Sequence, residues 1–426
     1  MGDGSLSEED GLPSPAESRS ASGGEPEAGY GSPAEVFGAF LKLGLTSFGG
    51  PLAHLGYFRE ELVVRRRWLG EERFADLVAL CQFLPGPASS QVGFALGVLR
   101  GGGLLGGVAA WAGFTAPSAL MLAAFASFAA AWQGPVAQGA LHGLKLVAVA
   151  VVAQAVLGMA RALVPDRWRG AVVVAAVGAT LVVGGWAGLV AAILLGALTG
   201  VLVRGRSQQP TYRLSRAGPA IPVSRLAGTI ALALFAALLL LPQLTFTAED
   251  GHLALFHAFF RAGALVFGGG HVVLPLLEAQ VVAHGWLSRD AFLAGYGFAQ
   301  AVPGPLFTFA AYLGAAAGPP SGGLIGSAAG LAGVFLPGML LVYGVLPFWD
   351  ALRRLAPVRA AMMGANAAVV GVLLAALYDP IAKSALTGWG DLALAVGGLL
   401  LLMVGRAPPW VVVLALATTG ALLGSA

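Results

Sequence analysis

The sequence predicts an all-α polytopic membrane protein made of two homologous six-helix halves, and three observations predict it. Hydrophobic residues make up 57% of the 426 residues and charged ones 11%, with a mean hydropathy of +0.81; a soluble domain carries about 25% charged residues. The apolar runs are long, continuous and rich in Ala, Leu and Gly, whereas a transmembrane barrel shows alternating segments of roughly ten residues. A short pattern also occurs twice, 219 residues apart: Phe37–Gly50 is FGAFLKLGLTSFGG and Phe256–Gly269 is FHAFFRAGALVFGG, identical at seven of 14 positions.

Residues 1–33 form an acidic tail. Its first 30 residues hold seven acids and one Arg among Ser, Gly and Pro. With almost nothing to bury, such a segment does not offset its ordering entropy, so disorder is expected. It lacks the basic start and apolar core of a signal peptide. Without these charges the rest of the chain is strongly basic, which favours anions or acidic headgroups as partners.

At about 20 apolar residues per span, the first repeat (34–203) offers spans near 34–50, 74–98, 103–131, 136–160, 169–184 and 186–203. A basic loop with Arg204, Arg206, Arg213, Arg216 and Arg225 follows, then a linking span at 226–242; together these form a segment 204–252. The second repeat (253–426) offers 253–268, 291–317, 322–346, 357–378, 384–405 and 408–424, for about 13 spans in all. Six spans return the chain to its starting side, so one linking span inserts the second half upside down. Inverted repeats are a common transporter design. Taking 204–225 as cytoplasmic also places Arg100, Arg161–Arg169, Arg353–Arg359, Arg406 and the N-terminal tail inside. Arg59, Arg65, Arg66, Arg67 and Arg73 break that scheme, unless the first span is re-entrant.

Glycine- or proline-broken apolar segments at matching places in two halves point to a transporter's midplane site. Phe48-Gly49-Gly50 and Phe267-Gly268-Gly269 end one pair of segments, and glycine there lets backbone approach a ligand. Pro85-Gly86-Pro87 opens a helix carrying Ser89 and Ser90; Pro303-Gly304-Pro305 opens one carrying Thr308. Proline suits a helix's first turn, and the free N–H groups there receive anions. A single copy reads most simply as a structural kink; two copies with the same flanks favour a site. Moving an ion into a low-dielectric medium costs on the order of 20 kcal/mol by Born estimates, so a membrane-embedded oxyanion needs such donors.

Ionisable residues within apolar spans are functional candidates. Lys42 and Arg261 each lie six residues before Phe-Gly-Gly, and Lys145 sits within Leu141–Leu157 at the place matched by Asn366. Both Lys42 and Arg261 are expected in the anion path, with snorkelling to an interface as the alternative. Glu60, Glu61, Asp76, Glu278 and Asp290 flank the broken elements, as arginine partners or proton carriers. One cysteine, Cys81, excludes an internal disulfide, and the six His show no metal-ligand spacing. No P-loop occurs, and no catalytic constellation, cofactor or nucleic-acid partner is indicated.

Phe48-Gly-Gly-Pro51, Trp68-Leu69 and Leu84-Pro-Gly-Pro87 resemble the first half of the chromate transporter family. Phe267-Gly-Gly-Gly270, Gly285-Trp286-Leu287 and Ala299-Gln-Ala-Val-Pro-Gly-Pro-Leu-Phe-Thr-Phe-Ala-Ala-Tyr-Leu-Gly314 resemble its second half. The resemblance covers residues 34–425 and implies a two-domain transporter in the plasma membrane, expelling chromate and conferring resistance. It carries Phe48, Gly49, Gly50, Pro51, Trp68, Pro85, Gly86, Pro87 and their partners over as motif residues. Gln280 stands where the resemblance leads one to expect an acid. A dianion leaving a negative-inside cell gains roughly 4.6 kcal/mol per 100 mV, so export needs no ATP; proton antiport would add to it. Sulfate or molybdate as substrate, and a lipid flippase or membrane enzyme, remain open as alternatives, as does a homodimer.

Overall fold

The computed structural model describes residues 30–132, 134–203, 222–245, 251–352 and 355–424. Most of the acidic tail and of the basic loop therefore lies outside the described residues. Among the described residues all regular elements are helical. The first half comprises α1 (Pro33–Thr46), α2 (Gly50–Phe58, widening into a π-helical turn over Arg59–Arg65), α3 (Glu71–Phe83), α4 (Ala88–Arg100), α5 (Leu104–Ala131), α6 (Pro135–Leu163), α7 (Arg167–Val183) and α8 (Gly185–Val203). Helix α9 (Arg225–Thr245) links the halves. The second half comprises α10 (His252–Ala264), α11 (Val273–Val281), α12 (Arg289–Ala299), α13 (Phe309–Ala316), α14 (Gly323–Val345), the short α15 (Trp349–Leu352), α16 (Ala356–Ala376), the short α17 (Lys383–Ala385), α18 (Trp389–Met403) and α19 (Pro409–Gly424). Short 3₁₀ turns at Gly270–Val272 and Leu306–Thr308 lead into α11 and α13.

Six helical segments are long and apolar enough to cross a membrane: Leu104–Ala131, Pro135–Leu163, Gly185–Val203, Arg225–Pro242, Gly323–Phe348 and Ala356–Ala385. The protein is a multi-pass membrane protein. Other segments expected as single spans are interrupted. The stretch 74–98 is two helices, α3 and α4, and 291–317 is α12 and α13. The cause is local: the prolines offer no N–H, and Gly86 and Gly304 hold φ of +125° and +101°, which ends a right-handed helix.

Each break folds its segment back. Helix α1, at 14 residues, is ~21 Å long at 1.5 Å per residue, short of a ~30 Å hydrocarbon core. After the break at Gly49 and Gly50 the chain returns, so that Trp68 packs 6.4 Å from Phe40 of α1 and 5.5 Å from the Arg100 guanidinium at the end of α4. Arg100 in turn bonds Glu35 at 3.0 Å, near the start of α1. Residues 31–35, 59–73 and 100 thus share one end of the molecule. The chain after α1 thus turns back on itself, and the arginines of 59–73 lie at the same end as Arg100.

The second half repeats this geometry at the other end. Gly318 N–H donates to the Trp286 carbonyl at 3.1 Å, and Gly251 N–H donates to Ser321 Oγ at 3.0 Å. Helix α4 ends where α5 begins, whereas α13 runs along α5 towards its far end, with Tyr312 5.7 Å from Phe125. The matching helices α4 and α13 therefore run in opposite directions along α5.

The halves are also interlaced. Helix α6 packs on α18 and α19, and α16 packs on α7 and α8. Glycines set these approaches: Gly143 abuts the Leu416 carbonyl, and Gly364 and Gly196 lie face to face. One relation is unequal. Helix α12 packs closely on α6, with Gly297 against the Leu144 carbonyl, while the matching α3 makes no comparable contact with α16. Ala79 occupies the place in α3 that Gly297 holds in α12.

The interlacing predicts that Gly364→Val, whose Cβ would overlap the Gly196 carbonyl oxygen, destabilises the whole molecule by ~1–3 kcal/mol. Gly38→Ala, with open space around its Cβ position, is expected to be neutral. Thermal unfolding of the detergent-solubilised proteins measures both.

Candidate functional site

The two kinds of break meet at the centre, each bonded to the other half. Gly86 N–H donates to the Val266 carbonyl at 2.8 Å, and Gly304 N–H donates to the Ser47 carbonyl at 2.9 Å. Val266 immediately precedes Phe267-Gly268-Gly269, and Ser47 immediately precedes Phe48-Gly49-Gly50. Each Pro-Gly-Pro is thereby tied to the Phe-Gly-Gly of the opposite half. The first-half break also reaches the second directly, since Pro51 lies 3.4 Å from the Cβ position of Gly270.

The glycines are required for this approach. A Cβ on Gly86 would lie 2.9 Å from Gln91 Nε2 and 3.0 Å from Gly338 Cα. One on Gly304 would lie 2.8 Å from Ser118 Oγ. These contacts match across the halves: Gly86 meets α14 one residue after Pro337, and Gly304 meets α5 one residue after Pro117. Gln91 Nε2 braces the first break by donating to the Pro85 carbonyl at 2.9 Å and the Gly338 carbonyl at 3.1 Å.

The two sides of the centre differ in exposure. Pro303, Gly304 and Pro305 are buried, whereas Pro85 and Gly86 are half-buried and Gly49 and Gly268 are exposed. Gly268 and Gly269 lie near the end of α6, where Met159, Leu163 and Asn366 surround Gly268; Asn366 Oδ1 has no hydrogen-bond partner.

The structure brings Phe48–Gly50, Pro85–Pro87, Phe267–Gly269 and Pro303–Pro305 to this junction, with Ser89 and Ser90 on the first turn of α4. The Thr308 hydroxyl is taken, donating to the Pro305 carbonyl at 2.6 Å. Lys42 and Arg261 occupy matching places, each hydrogen-bonded within its own hairpin. Lys42 Nζ is 2.8 Å from Glu61, which Arg66 also bonds at 3.0 Å. Arg261 donates to Gln280 at 3.0 Å and stacks 5.7 Å from the Trp186 ring. Glu61 and Gln280 correspond, so the missing acid at 280 is a neutral version of the same cross-hairpin bond. Lys145 lies away from the junction, 3.1 Å from Asp290, lining a cavity of about 670 Å³ at the other end with Gln138, His142 and Tyr312. The flanking carboxylates are paired: Glu278 bonds Arg289 at 3.1 Å, and Asp290 bonds Lys145.

The repeat does not point to His54, because Val273 stands in its place. Its ring is buried, with Nδ1 3.4 Å from Ser89 Oγ. The signal for it is a lone histidine three residues beyond a Phe-Gly-Gly-Pro break.

A multi-pass helical protein with doubled, mutually bonded helix breaks at its centre has the build of a transporter. The chain belongs to the chromate transporter family, whose pattern it matches over residues 34–201 and 253–421. It is similar to the chromate transport protein of Pseudomonas aeruginosa, 31% identical over 81% of this chain and 80% of that protein. It is also similar to a probable chromate transport protein of Synechococcus elongatus (28%, over 79% and 82%) and the chromate transport protein of Cupriavidus metallidurans (27%, over 79% and 80%). No solved structure matches the chain.

The crossed backbone bonds predict that Gly86→Ala and Gly304→Ala each cost ~1–3 kcal/mol, because a side chain is forced into positive φ and against the opposite half. Each variant should lower the unfolding temperature of the purified protein. If both unfold at the wild-type temperature, the glycines are not holding the halves together.

Proposed function

We propose that this protein is a non-enzymatic secondary transporter that exports chromate from the cytoplasm across the plasma membrane, driven by the membrane potential. The crossed bonds Gly86–Val266 and Gly304–Ser47 carry the reading. They place four broken helices from two oppositely running halves around one centre, which is the geometry that alternating access uses. Family membership supplies the substrate class, a tetrahedral oxyanion.

In this reading the halves are inverted repeats. Thirteen segments enter the bilayer, but only nine cross it: α5–α9, α14, α16, α18 and α19. The other four are hairpins that dip in and return: α1–α2, α3–α4, α10–α11 and α12–α13. Arginine placement supports the orientation. Arg59–Arg73, Arg100, Arg161–Arg169, Arg359 and Arg406 all fall at the end where α5 starts, so that end is cytoplasmic by the positive-inside rule. The acidic tail leads into the same end. The contact of α12 with α6 and its absence between α3 and α16 support a cytoplasm-facing state. Exchange of the two arrangements would carry the site to the outside.

Cells expressing the protein should accumulate less chromate and tolerate more of it than cells carrying an empty vector. Everted vesicles should take up labelled chromate, and competition by sulfate measures how far the site tells the two apart. Single cysteines at Gly101 and Pro319 should label from opposite faces of the membrane. Unchanged accumulation with well-inserted protein removes the substrate assignment, and labelling of both cysteines from one face removes the inverted topology.

A further inference from the structure

The two breaks match in backbone but not in chemistry. On the first-half side, five positions are polar: Ser47, His54, Ser89, Ser90 and Thr115. Their second-half counterparts are Val266, Val273, Phe307, Thr308 and Phe335, four of them apolar. The register of α5 against α14 is fixed by Gly113 and Gly333, which meet the backbones of α1 and α10 at matching places.

In the second half this volume is filled. Phe307 and Phe335 pack with ring centroids 6.0 Å apart, and Val266 and Val273 are fully buried. By the same symmetry Ser89 and Thr115 face one another's side of the first-half volume, with much smaller side chains. His54 joins them: Nδ1 is 3.4 Å from Ser89 Oγ, and its ring lies 5.3 Å from that of Phe114. The polar groups there are left unsatisfied. Ser47 Oγ, His54 Nε2, Ser90 Oγ and Thr115 Oγ1 have no hydrogen-bond partner, although the Ser47 backbone lies close to the ring. All four residues are at least nine-tenths buried, at 0%, 1%, 4% and 2% exposure. A buried polar atom without a partner carries a free-energy cost, and four around one helix start need a reason.

The helix start is that of α4. Pro87 caps it with no side-chain hydrogen bond, so its first-turn N–H groups stay available and carry the positive end of the helix dipole. His54 bonds into that first turn. We propose that the oxyanion is coordinated on one side only, by the first turn of α4 together with His54, Ser47, Ser89, Ser90 and Thr115. The second-half break is then an apolar plug that serves as the opposing wall. This rests on the transport reading above and deepens it: the site holds its anion by neutral donors, while Lys42 and Arg261 stay paired within their hairpins.

The test is equilibrium binding of labelled chromate, and separately sulfate, to the purified full-length protein in lipid nanodiscs. Loss of one hydrogen bond to a charged ligand is expected to weaken binding about tenfold. His54→Leu and Ser89→Ala should each do so for both anions, and His54→Gln, which keeps a donor, should recover part of the loss. Gly38→Ala, which lies outside the junction with open space around its Cβ position, should stay within about twofold of wild type. Each variant is first checked for a single size-exclusion peak; Ser89→Ala and Ser47→Ala change little volume and serve where the His54 variants fail to fold. Wild-type affinity in Ser89→Ala and Ser47→Ala overturns the one-sided site but leaves the transport reading standing. Wild-type protein that binds neither anion overturns both.

Discussion

Everything at the centre depends on one requirement, that a helix broken inside an apolar medium must still satisfy its backbone. Each unpaired N–H or C=O buried there costs about 1–3 kcal/mol, and lipid supplies no donor or acceptor. A break within a single half exposes such groups with nothing nearby to meet them. The chain answers by crossing: Gly86 N–H takes Val266 and Gly304 N–H takes Ser47. Neither half completes its own breaks, so the pairing of the halves and the existence of the central junction are the same fact.

That crossing also explains why the rest of the molecule is interlaced. If the hairpins of one half lean on the other, the helices behind them must hold both halves in register. Helices α6 and α16 do so, each seated on the terminal helices of the opposite half. The close seats use glycine against carbonyl, as Gly143 does at Leu416, where lipid-like surroundings make packing rather than water exclusion the source of association. The arrangement is symmetric in connection yet unequal in contact. Gly297 lets α12 press on the Leu144 backbone, while Ala79 places a methyl group at the matching point of α3. The two hairpins thus differ, at this residue, in how closely they seat on the long helix behind them.

Much of this was legible in the sequence, because repetition is what the constraint leaves behind. The paired Phe-Gly-Gly and Pro-Gly-Pro motifs located the breaks, and the positions of Lys42 and Arg261 located a bond made twice. What those cations bond was harder to read. Lys42 meets an acid and Arg261 an amide, and only the fold shows that Glu61 and Gln280 are equivalent. Span counting reads 74–98 as one segment, since an apolar window carries no record of the break at Pro85-Gly86-Pro87. The arginines at 59–73 stand out in the sequence as the segment that a plain alternation of spans does not accommodate. His54 escaped because comparison of the halves rewards what is shared, and it is shared with nothing.

The arginine-rich end and the neutral centre answer different needs of anion transport. Positive charge at the entrance raises the local anion concentration and is screened by salt, so it recruits without holding. A fixed guanidinium at the centre would hold a dianion in a low-dielectric site too strongly for release, since a path must bind well enough to admit and weakly enough to let go. In the proposed mechanism the two hairpin cations are engaged away from the ion: Lys42 is paired with Glu61, and Arg261, which keeps its charge, is bonded to Gln280 and packed on the Trp186 face. Hydroxyl, imidazole and first-turn N–H donors are what remain to meet the ion, and they lie beside the half-buried Pro85 and Gly86. The two halves then divide the work, one presenting donors and the other a rigid apolar face against which those donors move.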